Sequence, residues 1–412
     1  MDRQFESTKQ MFENIPLNKS DVCQQALNIE QKNRSNLFPW NGQFSPQLVE
    51  TLLSNYAPAN ARVFDPFMGS GTVLVECASK GLSSTGTEIN PAAFQFALSY
   101  KLCNLSKAKR EELIDSVEEI LIPLIDGEVT LFTRHRAATN KTVEEALIDS
   151  YQQISGDFAG VILKTLLLLL DFKAKPLDRN RLQIVWKRLR AVILELPFSK
   201  SLLDPRNLDA RKTSLPVSHF DLVITSPPYI NVFNYHQNYR ATAEEFGHDL
   251  LQVARSEIGS NRKHRGNRFL TVIQYILDMS EIFTELRRVC KDDARVIFVV
   301  GRESNVRKTR FMNGEIITNI ATRCCGFEAI LRQERVFTNR FGAKIFEDIL
   351  HFKPMRNMTG HQENPYEIAR EVLESAMNYV TSEPLADLKK AIDGLREVQA
   401  SPYFNPEKIG KN

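Results

Sequence analysis

Apolar positions along the chain alternate between helical and strand spacing, and the order of the two is informative. From about Gln43 to Ala57, Leu48, Val49, Leu52 and Leu53 recur at helical spacing behind Ser45-Pro46, a cap and first-turn pair. Arg62-Val63-Phe64 is a short strand that runs into Asp65-Pro66-Phe67-Met68-Gly69-Ser70-Gly71-Thr72. Val73–Lys80 then reads as a helix ending at Gly81, Ser84–Glu88 as a second strand and Pro91–Leu102 as a second helix. Strand, Gly-rich turn, helix, strand, helix is how an open parallel α/β sheet begins.

The pattern is then interrupted. Residues 105–200 are helical in period and hold no obvious strand, so they are expected to form a helical insertion. The sheet resumes near Leu202, and Phe220–Thr225 is an apolar strand ending in Ser226-Pro227-Pro228-Tyr229. Polar, basic sequence continues to about Arg268. A long helix over Phe269–Cys290 leads into the strand Arg295–Val300, and Phe327–Arg332 and Ile345–Phe352 read as closing strands. Residues 360–399 carry two more helical patterns, the second starting at Pro384. The expected organisation is an N-terminal extension (1–30), a first part of the core (31–104), the insertion (105–200), a second part of the core (201–355) and a C-terminal helical appendage (356–412).

Composition narrows the class. With 412 residues the chain can bury a large core, and 42% hydrophobic with 25% charged residues is ordinary for a globular protein. The five leucines Leu166–Leu170 are too short a run to span a bilayer and read as a buried helix. Met1–Glu6 lacks the apolar core of a secretory signal, so the expected location is the cytoplasm, with reduced thiols and no membrane partner. None of the six cysteines forms a CxxC pair, which argues against a zinc site, and no metal is expected. A net charge of +3 is too small to identify a partner.

The first loop suggests a ligand. A strand, a Gly-rich turn and a helix bring backbone amides to a bound group. Gly69 and Gly71 allow a sharp bend and a close approach. Glu88, at the end of the next strand, sits where an acid accepts hydrogen bonds from ribose hydroxyls. Asp65 at the first strand end would repel the phosphates of a dinucleotide but suits a ligand with a positively charged amino group, such as adenosylmethionine.

The second loop suggests a reaction. Two prolines after a strand remove two backbone donors and stiffen the turn, leaving carbonyls free to accept. If the Ser226 hydroxyl and the Pro227 carbonyl accept the two hydrogens of an exocyclic amine, its lone pair can turn toward a methyl sulfonium. The work is then positioning and stabilisation of developing charge. Tyr229 could stack on a base taken out of its helix. Both loops would lie beyond the carboxyl ends of the strands, where ligands of open α/β sheets sit.

These residues resemble a known family. Asp65–Thr72 is similar to the cofactor motif of the amino-methyltransferases of DNA, and Thr225-Ser226-Pro227-Pro228-Tyr229 to the catalytic motif of those acting on cytosine N4 or adenine N6. Phe38–Pro46 resembles the family's preceding cofactor segment. The resemblance covers residues 36–100 and 202–353, leaving out the insertion and the tail. It implies an α/β, Rossmann-like class I methyltransferase fold with a seven-stranded, mostly parallel sheet. It implies S-adenosyl-L-methionine as cofactor, held by Phe44, Ser45, Asp65, Pro66, Phe67, Gly69, Gly71, Thr72 and Glu88, with Asp209 bonding the adenine amino group. It implies catalysis by Ser226, Pro227, Pro228 and Tyr229 on double-stranded DNA, with a cognate restriction endonuclease as an open partner. Ser226 leans the target toward cytosine N4; Asp there is more usual for adenine. In many Ser-Pro-Pro-Tyr enzymes the catalytic motif precedes the cofactor motif; here it follows. That order resembles the tRNA guanine-N2 methyltransferases, which usually carry Asp-Pro-Pro-Tyr.

Other chemistries fit less well. None of the eighteen prolines is followed by Cys, which disfavours cytosine-C5 methylation, and there is no Walker loop or HExxH motif. Arg262, Lys263, Arg265 and Arg268 follow the catalytic turn and are candidate phosphate contacts, with Gly259 and Gly266 read as points of loop mobility. A second basic cluster, from Lys173 to Arg190, is explained as well by a solvated helix face. His236 is read as structural, because the chemistry needs no imidazole. The leading expectation is sequence-specific DNA cytosine-N4 methylation. Adenine-N6 methylation, RNA base methylation and a non-catalytic nucleic-acid-binding protein are its alternatives.

Overall fold

The computed structural model describes residues 8–126, 142–154, 156–230, 234–260, 264–339, 342–355 and 362–406. Nine strands occur in it: β1 Arg62–Asp65, β2 Ser83–Thr87, β3 Leu203–Arg206, β4 Phe220–Thr225, β5 Cys290–Gly301, β6 Glu303–Val306, β7 Thr309–Met312, β8 Phe327–Thr338 and β9 Lys344–Pro354. Seven form one sheet in the order β3-β2-β1-β4-β5-β9-β8, and β6 and β7 form a separate hairpin. β3 to β5 run parallel, whereas β9 is antiparallel to both β5 and β8. This is the expected Rossmann-like α/β fold. The strand order reverses between β1 and β4, because β2 and β3 build outward on one side before the chain returns to the other.

Alternation along the central strands sends side chains to two cores. Val63, Leu222, Ile224, Ile297 and Val299 face the helix Pro46–Tyr56. Phe64, Val223, Val296, Phe298 and Val300 face the long helix Leu270–Val289. Phe283 of that helix stacks on Phe298 at 4.9 Å between ring centroids and meets Phe327 and Phe352 edge-on.

Residues 105–200 contain the helices Lys107–Asp126, Val143–Ile154, Phe158–Leu170 and Arg179–Glu195. The last two are capped by Asp157 and Asp178, whose carboxylates accept from the amides of Gly160 and Arg181. Leu166, Leu167, Leu168 and Leu170 are buried in a core shared with Phe96, Leu102 and Leu203, so the leucine run is a packed helix. Among the described residues, no helix is long and apolar enough to cross a membrane.

The described segments before β1 and after β9 pack onto the core. Leu17 bridges to Arg332 on β8, and the Asn28 side chain accepts from Val336 N at 2.9 Å, so part of that edge strand is covered. The C-terminal helices Pro365–Ala376 and Leu385–Asp393 bury Ile368, Leu373 and Leu388 in the same core as the helix Leu270–Val289.

Three stretches differ from the sequence pattern. β5 begins at Cys290 rather than Arg295, with a register shift between Phe220 and Leu222 on its partner that absorbs the charged Lys291-Asp292-Asp293. The polar stretch after the catalytic turn holds two short helices, Arg240–Glu245 and Leu250–Ser256, with few apolar positions to announce them. The β6–β7 hairpin turns on Arg307 and Lys308, both at positive φ, where the usual signal is Asn-Gly.

The aromatic cluster around Phe283 gives a direct test of the core. Phe283→Ala should cost about 3–5 kcal/mol, measured by urea unfolding. A loss below about 1 kcal/mol would show that these rings do not carry the packing ascribed to them.

Candidate active site

The site is built where β1 and β4 end side by side. Their register pairs Val63 with Leu222 and Phe64 with Val223, which brings Asp65 and Thr225 together at the strand ends. The Thr225 hydroxyl donates to Asp65 Oδ1 at 2.7 Å, and the Phe67 amide donates to the same oxygen at 3.1 Å. Asp65 is 2% exposed, and burial pushes its carboxyl up to about 7 against the pull of those two bonds.

Beyond Asp65 the chain turns through Gly69 and Gly71, both at positive φ. The two glycines serve different contacts. A Cβ on Gly69 would meet the Trp40 ring at 3.5 Å, so this glycine sits under an aromatic cover. A Cβ on Gly71 would lie 2.9 Å from both the Ala97 and Tyr100 side chains, so it lets the loop pack on the next helix. Gly86 on β2, unremarked in the sequence, leaves room for Met68.

The upstream segment is tied to this loop by amides. Gln43 Nε2 donates to Ser70 Oγ at 2.6 Å and to the Phe38 carbonyl at 2.5 Å, while Asn36 Nδ2 donates to the Phe44 carbonyl. Glu88 follows β2, accepting from the Asn90 amide at 2.7 Å. Burial pushes its carboxyl up to about 7; the Asn90 amide opposes this and the Glu257 carboxylate adds to it.

These elements enclose a cleft of about 940 Å³. Of the residues predicted to hold a cofactor, Phe44, Asp65, Pro66, Phe67, Gly69, Thr72, Glu88 and Asp209 line it; Ser45 and Gly71 stand behind the lining. From the Ser226–Tyr229 turn, Ser226 and Pro228 line the cleft, and between them Pro227 is buried. Tyr229 also lies outside the lining. A Cβ on Gly301 would touch its ring at 3.1 Å, and its hydroxyl donates to Glu347 at 3.4 Å. Tyr229 is thus packed against the end of β5, and the aromatic lining comes instead from Trp40, Phe44, Phe67 and Tyr235.

Asn90 and Glu257, which line the cleft beside Tyr235, were not singled out as ligands in the sequence. Asn90 Nδ2 donates to the Tyr235 carbonyl at 3.1 Å, holding that loop on the cleft. His236 is buried, and its amide and Nδ1 meet the Glu257 carboxylate at 2.5 and 2.7 Å, which fits its structural reading. Asn90 could have been found only by its place two residues after Glu88, and Glu257 only by its place after the Ser226–Tyr229 turn.

The basic clusters divide. Arg262 and Lys263 lie outside the described residues. Arg265 is exposed and Arg268 half-buried. Gly259 is not a point of mobility: at φ +72 it packs so that a Cβ would lie 2.9 Å from the Tyr229 carbonyl oxygen. In the insertion, Lys173 pairs with Glu144 and Glu245, Arg190 with Glu118, and Arg181 caps the helix Phe158–Leu170 by donating to the Leu170 carbonyl. Those cations are engaged by carboxylates and a carbonyl, all of them in the insertion except Glu245.

Residues 3–99 match a DNA methylase family model, a span that includes the Phe38–Pro46 segment, the Asp65–Thr72 loop and Glu88. Over 60 residues, 15% of this chain, it is 43% identical to the type II methyltransferase M.MjaII of Methanocaldococcus jannaschii, and that match covers 11% of the relative. A longer alignment, 23% identical over 395 residues, covers 69% of this chain and 76% of the type II methyltransferase M.BsoBI of Geobacillus stearothermophilus. Among solved structures, a SAM-dependent methyltransferase of Methanosarcina mazei is similar at 15% identity and a TM-score of 0.33, over 74% of this chain and 97% of that one.

The buried carboxylate makes a testable statement about the protein alone. An unfolded Asp ionises near pH 4, at about 3.9, and folded Asp65 at about 7. Between those values the folded state binds more protons, so this group lowers stability as pH rises through the window. Asp65→Asn keeps an acceptor without the charge. It should raise stability at pH 8 by roughly 2–4 kcal/mol and leave it little changed at about pH 4, as read by urea unfolding. An equal change at both pH values would remove the electrostatic explanation.

Proposed function

We propose that this protein transfers a methyl group from S-adenosylmethionine to an exocyclic amino nitrogen of double-stranded DNA, at cytosine N4. The observation that carries the reading is the Thr225–Asp65 hydrogen bond, which joins a cofactor-type loop and a Ser-Pro-Pro-Tyr turn at one strand-order reversal. The DNA methylase match over residues 3–99 and the type II methyltransferase relatives support the substrate class.

The residues present fit this cofactor. Asp65 is a buried carboxylate with two neutral donors and an elevated pKa, and an ammonium group would complete its surroundings. Glu88, which lines the same cleft, can accept from ribose hydroxyls. S-adenosylmethionine supplies an electrophilic methyl on a sulfonium and leaves as a neutral thioether. Ser226 accepts one amino hydrogen through its hydroxyl, and the Pro227 carbonyl takes the other. Their part is to orient the nitrogen lone pair and disperse the positive charge that develops on it. A hydroxyl and a carbonyl provide no strong base, and the proton passes to water once the nitrogen is alkylated. The aromatic rings of Tyr235 and Phe67 line the cleft that an extruded base would enter. A restriction endonuclease of the same target sequence is the partner such an enzyme would accompany.

Incubation with methyl-labelled cofactor and unmethylated DNA or RNA, followed by nucleoside analysis, tests the proposal. N4-methylcytosine from DNA is expected. Labelled N6-methyladenine would move the target base, and label confined to RNA would overturn the substrate. Ser226→Ala should slow transfer about 100-fold while cofactor affinity holds. An ammonium ligand selects ionised Asp65, so cofactor affinity should rise with pH up to about 7. A flat profile in calorimetric titrations would detach Asp65 from the ammonium.

A further inference from the structure

Asp209 lines the cleft, yet its carboxylate is already fully engaged. Oδ1 accepts from the Arg211 amide and Nε, each at 3.0 Å, and Oδ2 from Arg211 Nη2 at 2.6 Å and the Phe404 amide at 2.9 Å. A carboxylate offers about four acceptor sites, and none is left for an adenine amino group. The role expected of Asp209 as a direct ligand is therefore replaced by another.

Arg211 explains that role. Its side chain is fully buried, and each of its five donors has a partner. Two go to Asp209; Nη1 reaches Asp278 Oδ1 at 2.8 Å and the Ser401 carbonyl at 2.6 Å; Nη2 also reaches the Pro402 carbonyl at 2.9 Å. Asp278 in turn accepts from the Ser401 amide and hydroxyl, both at 2.7 Å. The network joins the loop after β3, the long helix and a segment almost two hundred residues further along the chain. Phe404 completes it from the apolar side. It is buried among Ala243, Leu250 and Val253 and backs Ile89, which lines the cleft next to Glu88.

We propose that Ser401–Phe404 is a latch on the nucleoside end of the cleft, with Phe404 and Asp209 as positioning residues that fix the Ile89 and Leu208–Ala210 walls. This rests on the cofactor reading above. Latch and ligand are coupled: whatever orders the walls favours binding, and binding must hold the latch closed by the same factor. Loss of the segment would leave two Arg211 donors and both Asp278 oxygens short of partners in a dry interior, so the closed latch is a discrete state.

The test uses the full chain with S-adenosylhomocysteine and with 5′-methylthioadenosine, which has the nucleoside but no amino-acid part. Phe404→Ala should weaken both ligands by a common factor on the order of tenfold, and Phe404→Leu should restore most of it. Asp65→Asn should weaken only S-adenosylhomocysteine. In the unaltered protein, S-adenosylhomocysteine should slow amide exchange across residues 401–404, a readout that needs no variant to fold. Unchanged affinity in Phe404→Ala, a loss confined to S-adenosylhomocysteine, or exchange in 401–404 indifferent to ligand would each overturn the latch. Failure of the unaltered protein to bind either ligand would overturn the cofactor reading, and the latch with it.

Discussion

Everything in the cleft is arranged around one hydrogen bond between neighbouring strands. β1 and β4 are adjacent and parallel although more than one hundred and fifty residues separate them, and the bond from Thr225 to Asp65 ties their ends. It fixes the Gly-rich loop relative to the Ser-Pro-Pro turn, because each begins at the next residue. Its cost is a carboxylate out of water with neutral donors as partners. Backbone must then come close from several sides to close the site. That is the common reason for the glycines at 69, 86, 259 and 301, which stand against Trp40, Met68 and, in the last two cases, Tyr229.

How much of this was visible in the sequence follows from what each signal depends on. The central strands and long helices were legible because their burial is periodic and local. Asp65, Glu88 and Ser226 were legible because a ligand-facing residue at a strand end follows from strand position alone. Tyr229 was placed on a base because it closes the turn that Ser226 opens. Two prolines separate the two side chains, and Gly301, on a distant strand, supplies the slot that takes the ring. Asp209, expected to bond an adenine amino group, lines the cleft, but its hydrogen bonds are filled by Arg211 and Phe404. Nothing near residue 209 in the sequence announces the second of these. The short helices after the catalytic turn were missed because Ala243, Leu250 and Val253 are too few to set a period. Their apolar partner, Phe404, is again distant.

The helical insertion leaves the core intact because its two ends are held together. Asn104 Nδ2 donates to the carbonyls of Ser199 and Ser201 at 2.9 and 2.7 Å, and the Ser199 amide donates to the Cys103 carbonyl at 2.9 Å. The entropy of closing so long a loop grows slowly with its length, and the described helices offset it by burial in a core shared with Phe96, Leu102 and Leu203. β3 therefore pairs with β2 in register from Ser84–Leu203 onward, as if the excursion had not occurred. The insertion nevertheless reaches the rim of the site. Asp171 and Lys175 border a second, polar cleft with Trp40, Gln43 and Tyr239, and Trp40 and Gln43 also line the first.

Two buried carboxylates with elevated pKa share the lining of one cleft. A fold can tolerate such a site if the surrounding structure over-determines it. Here the supports come from parts of the chain that take no part in the chemistry: Gln43 on Ser70, Asn90 on the Tyr235 loop, Arg211 between the cleft wall and the tail. Each is buried or half-buried and polar, and each satisfies backbone or side-chain groups that would otherwise stand unpaired. Such contacts add little net stability when made, but breaking one leaves its buried partner unsatisfied, at a cost of about 1–3 kcal/mol. They therefore act less as a store of stability than as a constraint on geometry. That is the property a cleft needs when its lining is drawn from segments far apart in the chain.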